Sequence, residues 1–101
     1  MPNISKTDNQ ENNDLIATFT GLINWQNASL RKISVNLAGH STSFSLEKPF
    51  LDILQNEAQS CQLPFAQLVR LIDDQRPTNI NLSSALRLAA LAIAARNMKQ
   101  I

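Results

Sequence analysis

The sequence predicts a mainly α-helical fold with a short antiparallel β-ribbon ahead of its helices, completed as an intertwined dimer. Three observations carry that prediction. Apolar and polar residues alternate with a period of two between residues 31 and 46. At Glu47 the apolar spacing switches to about 3.6, and it holds that period to residue 96 with breaks only near Pro64 and Pro77. The last helical stretch is apolar round most of its circumference, so it needs burial on more than one side. A chain of 101 residues with a polar start supplies one such side, and a second subunit supplies the other.

Residues 1–13 hold little that is apolar beyond Met1 and Ile4 and are crowded with Asn, Gln and charge. Such a stretch buries too little to offset its chain entropy, so a disordered tail is expected there. Asp14 can cap a short helix, since Leu15, Ile16, Phe19, Leu22 and Ile23 follow at helical spacing. Gly21 and the β-branched Thr18 and Thr20 weaken that helix, and the single Trp25 sits at its end. Residues 14–29 are expected either to cover an edge of the domain or to dock on a partner protein, with 14–26 as the docking segment.

From Arg31, Ile33, Val35 and Leu37 alternate with Lys32, Ser34 and Asn36, the pattern of a half-buried strand. Residues 38–40 supply a turn in which Gly39 is free to take a positive φ. Thr42, Phe44 and Leu46 then alternate with Ser41, Ser43 and Ser45, which makes the pair a β-hairpin. Pro49 suits the first turn of a helix, where its missing N–H loses no bond. Phe50, Ile53, Leu54 and Ala58 mark one face of that helix, which ends near Ser60. Pro64 opens a second helix with the stripe Phe65, Leu68, Val69 and Ile72, stopping before Pro77. Asn81 or Ser83 caps a third, whose apolar positions include Leu82, Leu86, Leu88, Ala89, Leu91 and Ile93.

Charge and composition bound the function. The formal net charge of +1 argues against a protein that grips polyanions by bulk electrostatics. From Arg31 onward, eight basic residues against five acidic give +3 per chain, mildly suited to DNA. Cys61 is the only cysteine, so no intrachain disulfide forms. The start lacks the basic and apolar regions of a signal peptide, and the longest apolar run, 88–95, is half a membrane span. A cytoplasmic protein is expected. Neither a phosphate loop, a metal-ligand set nor a catalytic constellation is present, so no enzyme, metal or cofactor is expected. His40 reads as a turn residue, Ser83 and Ser84 as helix capping, and Asp73 and Asp74 as solvated surface or as ion-pair partners of Arg70 or Arg76. Arg87, on an otherwise apolar helix, either reaches the surface or pairs with a carboxylate such as Asp73.

The order strand, helix, turn, helix resembles the ribbon-helix-helix superfamily of bacterial DNA-binding proteins, which includes Arc- and MetJ-like repressors. A narrower resemblance rests on two blocks. Gly39-His40-Ser41-Thr42-Ser43-Phe44-Ser45-Leu46-Glu47, followed by Phe50, is similar to the strand signature of a poorly characterised bacterial family of this type. Asn81-Leu82-Ser83-Ser84-Ala85-Leu86-Arg87 resembles its C-terminal block, beyond the two core helices. The resemblance spans residues 30–96 and implies a homodimer in which the second strand pairs antiparallel with its copy. Phe44, Leu46, Phe50, Leu54, Leu68 and Ile72 would then form the dimer core. Ser41, Ser43 and Ser45 would face double-stranded DNA, and Leu63 and Phe65 would lie at the helix start where relatives hold a phosphate. Should the first strand pair beside the ribbon, Lys32, Ser34 and Asn36 would ride on the phosphates, helped by Arg31 and Lys48. The resemblance implies a transcriptional regulator. A protein-interaction or antitoxin-like module that keeps the dimer remains the alternative.

Overall fold

A computed structural model describes residues 9–99. Helix α1 spans Asn9–Gly21, a single 3₁₀ turn spans Trp25–Ala28, strands β1 and β2 span Leu30–Leu37 and His40–Glu47, and three helices follow. These are α2, Lys48–Ser60, α3, Phe65–Gln75, and α4, Leu82–Lys99. The chain is therefore mainly helical, with a two-stranded antiparallel sheet followed by helices and an additional C-terminal helix. Helix α1 starts five residues before Asp14. Once Leu15 to Phe19 have nucleated a helix, each added residue gains a backbone bond, and the polar residues 9–13 join it. The remainder of the expected tail, 1–8, lies outside the described residues.

The strands form a hairpin in which Leu37 faces His40, Val35 faces Thr42, Ile33 faces Phe44 and Arg31 faces Leu46. Its two turn residues, Ala38 at φ 52° and Gly39 at φ 92°, both occupy positive φ. That is the type I′ geometry whose twist matches a right-handed ribbon. The Gly39 N–H donates to Asn36 Oδ1 at 3.1 Å and fastens the turn. A two-residue turn makes Leu37 and His40 a hydrogen-bonded pair, so the bonded pairs run through Thr42, Phe44 and Leu46. The main-chain groups of Ser41, Ser43 and Ser45 consequently point to the outer edge of β2, which no strand among the described residues occupies.

Alternation gives the hairpin one apolar face, and the helices cover it. Leu37, Phe44, Leu46, Leu54, Val69, Leu86 and Ala90 form one buried cluster, with Ile33, Val35, Phe50, Leu68 and Ile72 packed at its margin. Phe44, Leu46 and Leu54 are thus buried within one chain, whereas Phe50, Leu68 and Ile72 are only half-buried there. In α2 the innermost residues are Leu51, Leu54 and Ala58. Phe44 and Phe65 tilt against each other with centroids 6.4 Å apart, a favourable aromatic geometry that anchors the first residue of α3 under β2.

The connections are set by local bonds. Helix α2 ends with the Leu63 N–H donating to Ala58 O at 2.9 Å and the Gln62 N–H to Gln59 O at 3.1 Å. This pairing, with Gln62 at φ 56°, is a Schellman motif. Of the two candidate caps of α4, Asn81 is the one used: its Oδ1 accepts from Ser84 N at 2.8 Å. In the loop before it, Arg76 pairs with Asp73 and also donates to the Ile80 carbonyl.

Ala38 is a β-carbon residue held in the left-handed region, where Asn is far better tolerated. Ala38→Asn should therefore stabilise the protein by about 1 kcal/mol, read as a higher urea midpoint with an unchanged slope. An unchanged or lower midpoint would contradict the turn geometry.

Candidate nucleic-acid interface

The face of the hairpin opposite the core carries Lys32, Ser34 and Asn36 from β1, set across from Ser45, Ser43 and Ser41 of β2. Six residues separated by up to thirteen positions in the chain thus share one surface. Alternation puts them there. A residue of β2 whose main-chain groups face the free edge has its side chain on the polar face, while Phe44 and Leu46 point inward. Ser34 and Ser43 meet hydroxyl to hydroxyl at 2.9 Å, as expected for a close, non-hydrogen-bonded cross-strand pair. Asn36 gives its carbonyl oxygen to the turn, so its amide nitrogen is the group left to face outward.

The charge around this face is more ordered than the sequence suggested. All five carboxylates between Glu47 and Asp74 are paired. Lys48 meets Asp52 at 2.6 Å, Arg70 meets Asp74 at 3.9 Å, and Arg76 meets Asp73 at 2.9 Å. Arg87 grips Glu47 through Nε to Oε1 at 2.9 Å and through a second nitrogen to Oε2 at 3.3 Å. Arg96 grips Glu57 in the same two-point manner, at 2.9 and 2.6 Å. Among the described residues, the cations without a carboxylate partner are Arg31, Lys32 and Lys99. Two of the three lie on β1. Lys48 is engaged with Asp52, but in an exposed pair of the kind that holds its partners weakly.

The Glu47–Arg87 pair joins the last residues of the two sequence blocks. Its partner in the chain is not Asp73 but the residue at the junction of β2 and α2. The pair is one-quarter to one-third exposed, and hydrogen bonds from Arg87 hold the Glu47 carboxyl below its usual range. Arg96 does the same for Glu57. Neither partner could be chosen from sequence, because about forty residues separate them. For Glu47 and Arg87 the one signal was that each of the two sequence blocks ends on a charge.

Leu63 and Phe65 are half-buried at the start of α3. That end has no side-chain cap and no acidic residue in its first turn, although Pro64 contributes no N–H. Among the described residues no group of His, Cys, Asp and Glu is placed to hold a metal. Cys61 is exposed, with its Sγ 3.8 Å from Glu57. No described helix is long and apolar enough to cross a membrane.

The ribbon-helix-helix domain model matches residues 30–94, from the first residue of β1 into the last turns of α4. The chain belongs to the ribbon-helix-helix domain family. At the coarse level this makes it a DNA-binding or antitoxin-like regulator of a fold that usually dimerises. No curated protein and no solved structure matches it.

The ion pair at the junction has a pH signature. An unfolded Glu47 ionises near 4.5, and the folded one ionises lower. The pair's contribution is therefore complete above that value and is lost as the pH falls through the folded pKa. A double-mutant cycle with Glu47→Gln and Arg87→Met should show a favourable coupling of up to about 1 kcal/mol at pH 7. The coupling should weaken as the pH falls below 4.5 and through the lowered pKa of the folded state. A coupling that is absent at pH 7, or that persists unchanged at pH 3, would show that the pair does not hold α4 to the junction.

Proposed function

We propose that this protein is a dimeric transcriptional regulator that reads the major groove of DNA with a β-ribbon. The observation that carries the reading is the outer hairpin face: Lys32, Ser34, Asn36, Ser41, Ser43 and Ser45 on one surface, beside a β2 edge on which no described strand lies. Pairing that edge with its copy satisfies the exposed N–H and C=O groups and forms the ribbon. Counting β1, the dimer presents four strands. At about 4.8 Å per spacing the four are wider than a groove of about 12 Å. The central strands would then enter with Ser41, Ser43 and Ser45 at the base edges. The outer strands would lie along the phosphates with Lys32, Ser34 and Asn36, and Arg31 and Lys48 would add charge. The start of α3, near Leu63 and Phe65, would receive a phosphate on its N–H groups. Within this reading Phe44, Leu46, Phe50, Leu54, Leu68 and Ile72 make the dimer core, and the half-burial of Phe50, Leu68 and Ile72 in one chain supports it.

A second reading has its own observation. Leu15, Ile16 and Phe19 of α1 are all more than half exposed, and Leu22 and Trp25 after them still more so. An uncovered apolar stripe of this kind fits a segment that binds another protein, as in an antitoxin-like module that keeps the dimer.

Fluorescence anisotropy with random duplex DNA at low salt separates the two. The DNA reading predicts binding that weakens with salt at a log–log slope of roughly −5, for about six neutralised phosphates per dimer. Ser43→Ala combined with Ser45→Ala should leave thermal stability within about 0.5 kcal/mol yet lower affinity for a selected operator. An operator bound equally well by that variant would remove the ribbon as the reading element. No binding at low salt would leave the protein-binding module as the function.

A further inference from the structure

We infer that Ser34 of β1 fixes the hydroxyl of Ser43 as a hydrogen-bond acceptor, so that Ser43 selects a base with an exocyclic amino group, adenine or cytosine. Ser34 is thus a positioning residue that acts through Ser43. The inference rests on the DNA reading proposed above and assigns the chemistry of one base position to it. It begins with the register of the hairpin. Ser34 and Ser43 face each other in a non-hydrogen-bonded pair, the closer of the two kinds of cross-strand pair, and their hydroxyl oxygens lie 2.9 Å apart. Both residues are exposed, and neither hydroxyl has a second partner among the described residues.

A serine hydroxyl holds one hydrogen and two lone pairs. Two hydroxyls bonded to each other share one hydrogen and keep the other for a third group. If Ser34 donates, Ser43 keeps a hydrogen for the base. If Ser43 donates, it offers the base lone pairs alone. The two hydroxyls by themselves allow either arrangement, and the neighbours of Ser34 on β1 decide between them.

On this face β1 presents donors. Lys32 carries an ammonium group, which has hydrogens to give and no lone pair. Asn36 commits its Oδ1 to the Gly39 N–H at 3.1 Å. A main-chain N–H can only donate, so the Asn36 amide is oriented with its oxygen on the turn and its hydrogens outward. None of the six residues that share the face is acidic. A row of this kind matches phosphate oxygens, which accept hydrogen bonds and donate none. Ser34 stands between Lys32 and Asn36 at the alternate positions of the same strand, so it meets the same backbone and gives it its single hydrogen. Its lone pairs are then free to receive the hydrogen of Ser43. Ser43 is left facing the base edge with lone pairs only. In the major groove the amino donors are adenine N6 and cytosine N4, whereas guanine and thymine place acceptors there. An acceptor-only Ser43 therefore favours adenine or cytosine, and the phosphate contact of β1 sets the base preference of β2.

Operator selection from random duplex DNA, repeated with Ser43→Ala, locates the base pair whose preference that substitution flattens. The parent should select adenine or cytosine there. Replacing that base by its analogue without the amino group (purine for adenine, pyrimidinone for cytosine) should weaken binding by the parent about five- to tenfold. Binding by Ser43→Ala should not respond to the replacement. Ser34→Ala should abolish the preference at that one position, since the released Ser43 hydroxyl can also donate to guanine or thymine. Ser34→Thr, which keeps the hydroxyl, should retain the preference. An even loss of affinity for all sequences in Ser34→Ala would reduce Ser34 to a phosphate contact. Guanine or thymine selected by the parent would make Ser43 a donor. Either result overturns the inference and leaves the DNA reading standing. A parent that binds no DNA at low salt, or a Ser43→Ala variant that flattens no position, overturns the inference together with the role of the ribbon.

Discussion

The constraint on which the rest of this structure depends is the two-sidedness of β2. Its inward residues, Phe44 and Leu46, are almost wholly buried and sit in the same cluster as Leu54, Val69 and Leu86, so β2 is the surface on which α2, α3 and α4 converge. Its outward residues are three serines, and its outer main-chain edge meets no strand among the described residues. A shift of one residue in the pairing with β1 would exchange these roles and send Phe44 to solvent. The turn at Ala38 and Gly39 prevents that shift by fixing the closing pair at Leu37 and His40. A tight turn therefore determines both which residues build the core and which are shown to a partner.

The second organising contact is electrostatic and acts at longer range. Glu47 closes β2 and precedes α2, and Arg87 reaches it from α4 across forty positions of sequence. Glu57 and Arg96 repeat the arrangement further along the same two helices. Together they hold α4 against α2 and the end of β2 at two points and engage two of the three cations of α4, leaving Lys99 at its end. The same pairs leave Arg31 and Lys32 as free cations on β1, next to the polar face of the hairpin. Thus a feature that fixes the helices also decides where the protein is positively charged, and where it is apolar.

Much of this was legible in the sequence because periodicity reports burial directly. The alternation from Ile33 to Leu46 located both strands to within about a residue or two, and Pro49, Pro64, Pro77 and Asn81 marked the helix ends where the structure has them. The six polar residues of the outer face followed from the same alternation. What stayed hidden was whatever depends on contacts between distant segments. Arg87 could be seen either to reach the surface or to pair with a carboxylate such as Asp73, and nothing in the periodicity pointed to Glu47. The positive φ at Gln62 was invisible for a different reason: the residue is not one that favours that region, and only the helix-ending bonds of Leu63 and Gln62 impose it. Leu51, which is buried, fits the spacing of Leu54 and Ala58 but lies next to the larger Phe50, which is only half-covered in one chain. The start of α1 was misplaced because polar residues at a helix end leave no periodic trace.

The central claim is that the free edge of β2 is the edge of a ribbon shared with a second copy. Hydrogen exchange of single amides tests it most directly, and β1 supplies an internal control. The N–H groups of Ser43 and Ser45 point to the outer edge of β2, while those of Lys32 and Ser34 point to the outer edge of β1. A ribbon shared between copies predicts slow exchange at Ser43 and Ser45, faster on dilution, with rapid exchange at Lys32 and Ser34 at every concentration. Equally rapid exchange at all four amides would contradict it and leave the hairpin as a two-stranded sheet with both edges open.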